Sequence, residues 1–349
     1  MTQIDILYYT LFIIFVWSGI ILMKIMIVGG TGFLGYYSAK VALERGHQVG
    51  SLAVDDIDLK GWYPEEIEVK NGDVFTMGED ELMSAFEGYE ALIYAVGPDD
   101  RVTPPAPAYE FFHERLVERP EVVFNAAKKA GIKRAVVFNS YFATYDRMFP
   151  EKKLAEYHPY IRCRVEQAER LIAVGGDGMD VMVLELPYIF GSMPNRTPLW
   201  KDVFLERFFR YPVVFFPKGG TTMIAVQHIG EAAIGAIEYG EHGERYPIGD
   251  ENKPYRYMLE MMQKGLGINK PIMLVNKHIC AMGAQSIARK DAKEGKQAGL
   301  DMKHLMLDIM ADEMYLPDNE GMSKKLHYGR GGLEEAIIET MKACYPNGF

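Results

Sequence analysis

Lys24-Ile25-Met26-Ile27-Val28-Gly29-Gly30-Thr31-Gly32-Phe33-Leu34-Gly35 decides the fold of this chain. It reads as an apolar strand ending in three glycines spaced G-x-x-G-x-x-G, and helix-compatible residues from Tyr36 to Arg45 follow directly. Each glycine has its own task where backbone meets a pyrophosphate. Gly29 permits the tight strand-to-helix turn, Gly32 lets the main chain approach the phosphates, and Gly35 allows the helix to lie close on the strand. The helix N-terminus adds free N–H groups and partial positive charge. Glycine-rich turns also occur for purely structural reasons. Here strand, spacing and helix agree, so a nucleotide-binding turn is expected, lined by Thr31, Phe33 and Leu34 as well as the glycines.

Outward from this turn, strand and helix patterns alternate. Strands are predicted at Gln48–Val54, Ile67–Val69, Ala91–Val96, Ala135–Asn139 and Val181–Leu186, the last stopped by Pro187. Helices are predicted at Glu79–Phe86, from the end of the proline-rich loop 103–108 to Gly131 with a kink at Pro120, and at Tyr160–Val174. Alternation of this kind implies an α/β chain, a Rossmann-type doubly wound parallel sheet of six strands. From Gly191 the rhythm loosens. Aromatics and prolines crowd 200–217, a short strand is predicted at Met223–Val226 with a helix from Ile229, and Tyr246-Pro247-Ile248 reads as another strand. The expected division is a dinucleotide-binding domain over 24–190 and a smaller α/β substrate-binding and helical region over 191–349, interleaved with the sheet. Met302, Met306, Met310 and Met314 fall at helical i, i+4 spacing and read as core filling rather than a binding wall.

Composition narrows the function. The chain has 349 residues, 48% of them hydrophobic and 25% charged, as in ordinary globular proteins. A net charge of −10 argues against nucleic acid, which needs a basic face. Cys163, Cys280 and Cys344 lie far apart with no C-x-x-C pair, and the histidines lack metal-ligand spacing, so neither a metal site nor a disulfide framework is expected and a cytoplasmic setting fits. Residues 1–23 form an apolar extension. As a helix, 6–23 would span about 27 Å, close to the ~30 Å hydrocarbon core, yet it lacks the basic region and cleavage site of a signal peptide. Lys24 begins a central strand with no linker before it. The favoured reading is an over-extended start, with Met23 or Met26 as the natural beginning; a membrane anchor and a helix packed on the protein are the alternatives, and a membrane partner is expected only if 6–23 is an anchor.

Together these segments resemble the extended short-chain dehydrogenase/reductase family, the NAD-dependent epimerase/dehydratase group, over roughly residues 24–265. The first turn is similar to that family's cofactor motif. Gly72-Asp73-Val74 is similar to its G-D-[VL] motif, Ala91 to Gly97 to the strand and turn beside the nicotinamide ribose, and 186–191 (LPYIFG) and 223–232 (MIAVQHIGEA) to two later segments. The resemblance implies NAD or NADP as cofactor, contacts from Asp73, Val74, Ala95, Val96, Gly97 and Pro187 in addition to the first turn, and a small-molecule substrate of polar or nucleotide-sugar type. A homodimer is also weighed.

Family members carry a Tyr-x-x-x-Lys pair on the helix after strand five and a Ser or Thr at that strand's end. The lysine cation lowers the tyrosine's pKa from ~10 so that it can exchange protons near neutrality. Here the register gives Tyr160-Ile161-Arg162-Cys163-Arg164, so arginine stands in the lysine's place. Arg164 keeps the charge but stays protonated and forked, so it can stabilise a phenolate and cannot relay a proton. Ser140 lies near the expected hydroxyl, although the aligned position is arguably Tyr141. Leu116 stands nearest to the asparagine common on the preceding helix. Tyr36 and Lys40 repeat the spacing on the phosphate-facing helix, a chance match. The implied catalytic set is Tyr160, Arg164 and Ser140. Asp55 and Asp56 sit just past the place where an acid would bond the ribose, which leans the cofactor toward NAD. Two other readings remain: a non-catalytic dinucleotide-binding regulator, and a membrane-tethered reductase of a lipid-like substrate.

Overall fold

The computed structural model describes residues 21–54 and 58–349. The expectations for the N-terminal extension and for Asp55 and Asp56 therefore fall largely outside the described residues.

The main sheet is built from β1 (Lys24–Val28), β2 (Gln48–Ala53), β3 (Glu68–Asn71), β4 (Ala91–Tyr94), β5 (Arg134–Ser140), β6 (Asp180–Leu186) and β10 (Arg245–Pro247). Its order is β10-β6-β5-β4-β1-β2-β3, and every pairing is parallel. This is the doubly wound arrangement, with seven strands rather than six, because the strand predicted around Tyr246 joins the edge beside β6. Strand alternation divides β1 between the two faces. Ile25 and Ile27 enter the cluster with Tyr36, Ala39, Ile229 and Ala233, whereas Met26 and Val28 enter the one with Phe86, Phe124 and Leu171. A strand buried on both sides has no polar face, which is why β1 reads as an unbroken apolar run.

The helices that matter for the site are α1 (Phe33–Glu44), α2 (Glu79–Phe86), α3 (Ala108–His113), α4 (Arg119–Lys129), α5 (Tyr141–Met148), α6 (Pro159–Gly175), α7 (Val226–Tyr239), α8 (Tyr255–Leu266) and α9 (Lys277–Lys293). The break predicted at Pro120 is a π turn, Glu114–Glu118, between α3 and α4, with Pro120 in the first turn of α4. Proline has no N–H to donate, so it sits where a helical register is already interrupted. Helix α5 was not legible in the sequence.

A second sheet collects β7 (Tyr188–Phe190), β9 (Gly220–Ala225), β11 (Glu251–Pro254) and β13 (Glu313–Met314), and β8 (Val214–Pro217) pairs with β12 (Ile272–Val275) as a separate parallel ribbon. The methionine stripe is not one helix. Helical residues Met302–His304 pass into a π turn, Leu305–Ile309, and then into β13, which pairs with Gly220 and Thr221. Met310 and Met314 are nonetheless core. Among the described residues no helix is long and apolar enough to cross a membrane.

Candidate dinucleotide and catalytic site

The strand order reverses between β1 and β4, and the first glycine turn lies where β1 ends beside β4. Gly29 has φ of +84°, and its N–H donates to the Leu52 carbonyl at 2.8 Å. A Cβ on Gly29 would also strike Val96 Cγ1 at 2.5 Å, so the two strand-end turns touch. A Cβ on Gly35 would run into the Gly29 carbonyl and lie 2.8 Å from the Gly30 Cα, which explains the close seat of α1 on the turn. Gly32 differs: a Cβ there would meet only the Gly29 oxygen, at 3.1 Å. Gly32 is the N-cap of α1, with no side chain capping the helix and no acid in its first turn. The terminus is thus left to an external anion, and the cradle fits a dinucleotide pyrophosphate. Thr31 is buried, while Phe33 and Leu34 pack half-buried on the core.

Opposite this turn, Ala95 N–H donates to the Val28 carbonyl at 2.9 Å, and Gly97 turns the chain away with φ of +135°. At the end of β3, Asp73 organises its own turn. Its Oδ1 accepts from Phe75 N–H, and its carbonyl accepts from Thr76 and Met77 N–H, each at 2.9 Å. Arg119, which sequence reading passed over, donates from Nε to the Val74 carbonyl and from Nη2 to the Met77 carbonyl at 2.5 Å. A lone arginine early in a helix carries no local signal, because its partners lie more than 40 residues away. Pro187 separates β6 in the main sheet from β7 in the second.

Tyr160 stands in the first turn of α6, 3% exposed, with its ring edge-on to Phe112 at 5.4 Å. Its hydroxyl accepts from Arg164 Nε at 3.0 Å. The rest of the Arg164 fork is also committed: Nη1 donates to the Phe138 carbonyl at 3.1 Å and to Gln167 Oε1 at 2.9 Å, and Nη2 reaches the Pro98 carbonyl at 3.4 Å. Arg164 therefore ties α6 to the end of β5 and to the turn after β4. Burial pushes the Tyr160 phenol above its ordinary pKa; the Arg164 charge pulls it back and Asp100 pushes it further up. Asn139 completes the lock, its Nδ2 donating to the Arg164 carbonyl at 2.8 Å and to Gln167 Oε1 at 3.0 Å.

Ser140 is at the end of β5 as expected, but its hydroxyl accepts from Phe142 N–H at 3.3 Å and caps α5. Tyr141, the aligned residue, shares a 2.9 Å hydrogen bond with Thr221 Oγ1 and packs near Tyr145 and Tyr188. Tyr188 in turn lies against Trp200 and Tyr255. Tyr255 carried no sequence signal, and Trp200 stood out only as part of the aromatic-rich stretch 200–217. Loop and C-terminal chain cover this end of α6: Tyr160 N–H donates to Gly299 O at 2.9 Å, Ala106 N–H to Gly295 O at 2.9 Å, and Gln297 N–H to Pro104 O at 3.0 Å.

Residues 29–189 match the NAD(P)H-binding family model. Sterol-4-alpha-carboxylate 3-dehydrogenase, decarboxylating, of Dictyostelium discoideum is 23% identical over 278 residues, covering 72% of this chain and 80% of that protein. Among solved structures, a nucleoside-diphosphate-sugar epimerase from Pseudomonas aeruginosa superposes with a TM-score of 0.67 at 16% identity, over 93% of this chain and 98% of that one. The Bordetella bronchiseptica enzyme WbmG, solved in complex with NAD, gives a TM-score of 0.63 at 13% identity, over 94% and 96%. With its glycine cradle at the switch point and its parallel seven-stranded sheet, this chain carries an NAD(P)H-binding region over residues 29–189 and shares the fold of these two enzymes.

Proposed function

We propose that the chain is an oxidoreductase or epimerase that moves a hydride between a nicotinamide cofactor and a carbinol carbon of a small polar or nucleotide-sugar-like substrate, with Tyr160 exchanging the hydroxyl proton. The observation that carries this reading is the Tyr160 hydroxyl held at 3.0 Å by Arg164, whose other donors grip the turn after β4 and the end of β5. The bound cofactor supplies the redox chemistry. Gly29, Thr31, Gly32, Phe33, Leu34 and Gly35 would hold its pyrophosphate, Asp73 and Val74 its adenine end, and Ala95, Val96, Gly97 and Pro187 its nicotinamide end; NAD is favoured over NADP. Arg164 stabilises the Tyr160 phenolate through Nε and holds the phenol in one orientation. Ser140 Oγ accepts the helix cap, and its own O–H proton remains available to polarise a substrate oxygen.

Two relatives frame the substrate. A nucleotide sugar is what the Pseudomonas epimerase is named for, and a sterol carboxylate is what the Dictyostelium dehydrogenase is named for. The test is turnover of NAD and NADP against a panel of nucleotide sugars and secondary alcohols, with wild type and Tyr160→Phe. Loss of on the order of 10²-fold or more in turnover with cofactor affinity retained supports the reading. Full activity in Tyr160→Phe places the acid elsewhere. The arginine in the lysine's place and the capped serine favour a second reading, a dinucleotide-binding regulator without turnover, which gains if NAD binds and no substrate reacts.

A further inference from the structure

The ribbon of β8 and β12 and the following helix α9 present an unusual surface. Phe215 and Met273 are cross-strand partners, 55% and 53% exposed, so both stand on the outer face of the ribbon. The inner residues Val214 and Phe216 are buried, and Phe216 packs 5.3 Å from Tyr255 beside the cluster of site tyrosines. Helix α9 buries only Ala281 and Ala284 among its 17 residues and exposes Ile279, Met282 and Ile287. Tyr211, on the approach to β8, is exposed as well. Single exposed apolar residues need no explanation, but a run of them from one ribbon and its adjoining helix marks an interaction surface.

Charge identifies the partner. Segments 206–218 and 269–293 carry the cations Arg207, Arg210, Lys218, Lys270, Lys277, Arg289, Lys290 and Lys293 against the acids Glu206 and Asp291 alone. These two segments are therefore strongly basic in a chain whose net charge is −10. Apolar side chains interleaved with lysine and arginine suit the interface of a bilayer containing anionic lipid, where the apolar groups enter the acyl boundary and the cations meet headgroups. An acidic protein elsewhere turns its remaining surface away from such a membrane. We propose that the β8–β12 ribbon and α9 form a peripheral docking face for an anionic lipid bilayer, which sets the aromatic cluster of Phe216 and Tyr255 against the membrane surface.

The experiment is co-sedimentation of the full-length protein with phosphatidylcholine vesicles and with vesicles containing phosphatidylserine, at low and high salt. The variants are Phe215→Ser/Met273→Ser and Lys277→Glu/Lys290→Glu/Lys293→Glu, with NAD binding as the check on folding. The wild type should bind phosphatidylserine vesicles and release them at high salt, and each variant should bind at least tenfold more weakly while still binding NAD. Equal binding to both vesicle types overturns the proposal. So does binding by the variants at wild-type strength, which would assign any membrane affinity to the apolar residues 6–23. Should the wild type be a dimer by light scattering that Ile279→Ser/Met282→Ser makes monomeric, the face joins two copies of this chain and the proposal fails.

Discussion

Replacing Arg164 with lysine restores the residue that the family pattern carries, yet the structure expects it to weaken the fold. Arg164 holds four acceptors from three elements: Tyr160 and Gln167 on α6, the Phe138 carbonyl on β5 and the Pro98 carbonyl after β4. Its side chain is almost wholly buried. A lysine ammonium is a single point with three donors, so it cannot stay at the Tyr160 hydroxyl and also span to both carbonyls. Two hydrogen bonds from a charged donor are lost, each worth about 1.5–3 kcal/mol. The lower end applies, because the carbonyls can pair with water once the fork is gone, so the cost is about 3 kcal/mol. With unfolding entropy of ~2.1 cal/mol/K per residue, that lowers the melting temperature by about 4 °C. The charge beside Tyr160 survives, so turnover on a confirmed substrate should stay within about tenfold. A freely rotating ammonium holds the phenolate less firmly than the fixed Nε donor, so the alkaline limb of the pH–rate profile should move toward higher pH. The assays are thermal unfolding with and without NADH, and the pH profile. A melting temperature within a degree of wild type would refute the bridging role, and an unmoved alkaline limb would separate Arg164 from the titration of Tyr160.

Other substitutions test the cofactor cradle and the buried charges. Gly32→Val has room in the protein itself, where only the Gly29 oxygen lies close, so it should fold and lose dinucleotide affinity; unchanged affinity by calorimetry would remove the pyrophosphate from this turn. Gly35→Ala should instead destabilise by about 1–3 kcal/mol, since its methyl meets the Gly29 carbonyl, and wild-type stability in denaturant would contradict the close seat of α1. Arg119→Ala frees the carbonyls of Val74 and Met77 and should weaken NAD binding severalfold with little change in turnover at saturation, measured by titration and steady-state kinetics. Burial lowers the pKa of His158 from 6.5 to about 4, and its Nδ1 accepts from Asp301 N–H at 2.9 Å. The unfolded chain therefore binds the extra proton between those values. Stability is fully present above pH 6.5 and falls by about 3 kcal/mol as pH drops toward 4, a slope that His158→Gln should flatten in denaturant titrations across that range.

Much of the cofactor half was legible because its signals are local. An apolar run ending in glycines states a buried strand and a turn needing positive φ at Gly29, and those demands act within a dozen residues. Glu79–Phe86 was read to the residue for the same reason, since an acidic first turn and a short amphipathic pattern suffice to mark a helix. The sequence also placed Tyr160 and Arg164 one turn apart, which makes their contact a property of any helix there. Tertiary structure alone decided what those groups do next. Arg164 became a clamp because Pro98 and Phe138 lie 66 and 26 residues away in the chain, at separations no periodicity encodes. Ser140 was taken up as the cap of α5, a helix that the aromatic-rich segment after β5 did not advertise. Met310 and Met314 of the methionine repeat are buried, but the repeat is not one helix, because Glu313 and Met314 pair their backbone with Gly220 and Thr221 of β9. The apolar outer face of the ribbon arose in the same way: Phe215 and Met273 are 58 residues apart, and only the parallel register of β8 and β12 sets them side by side.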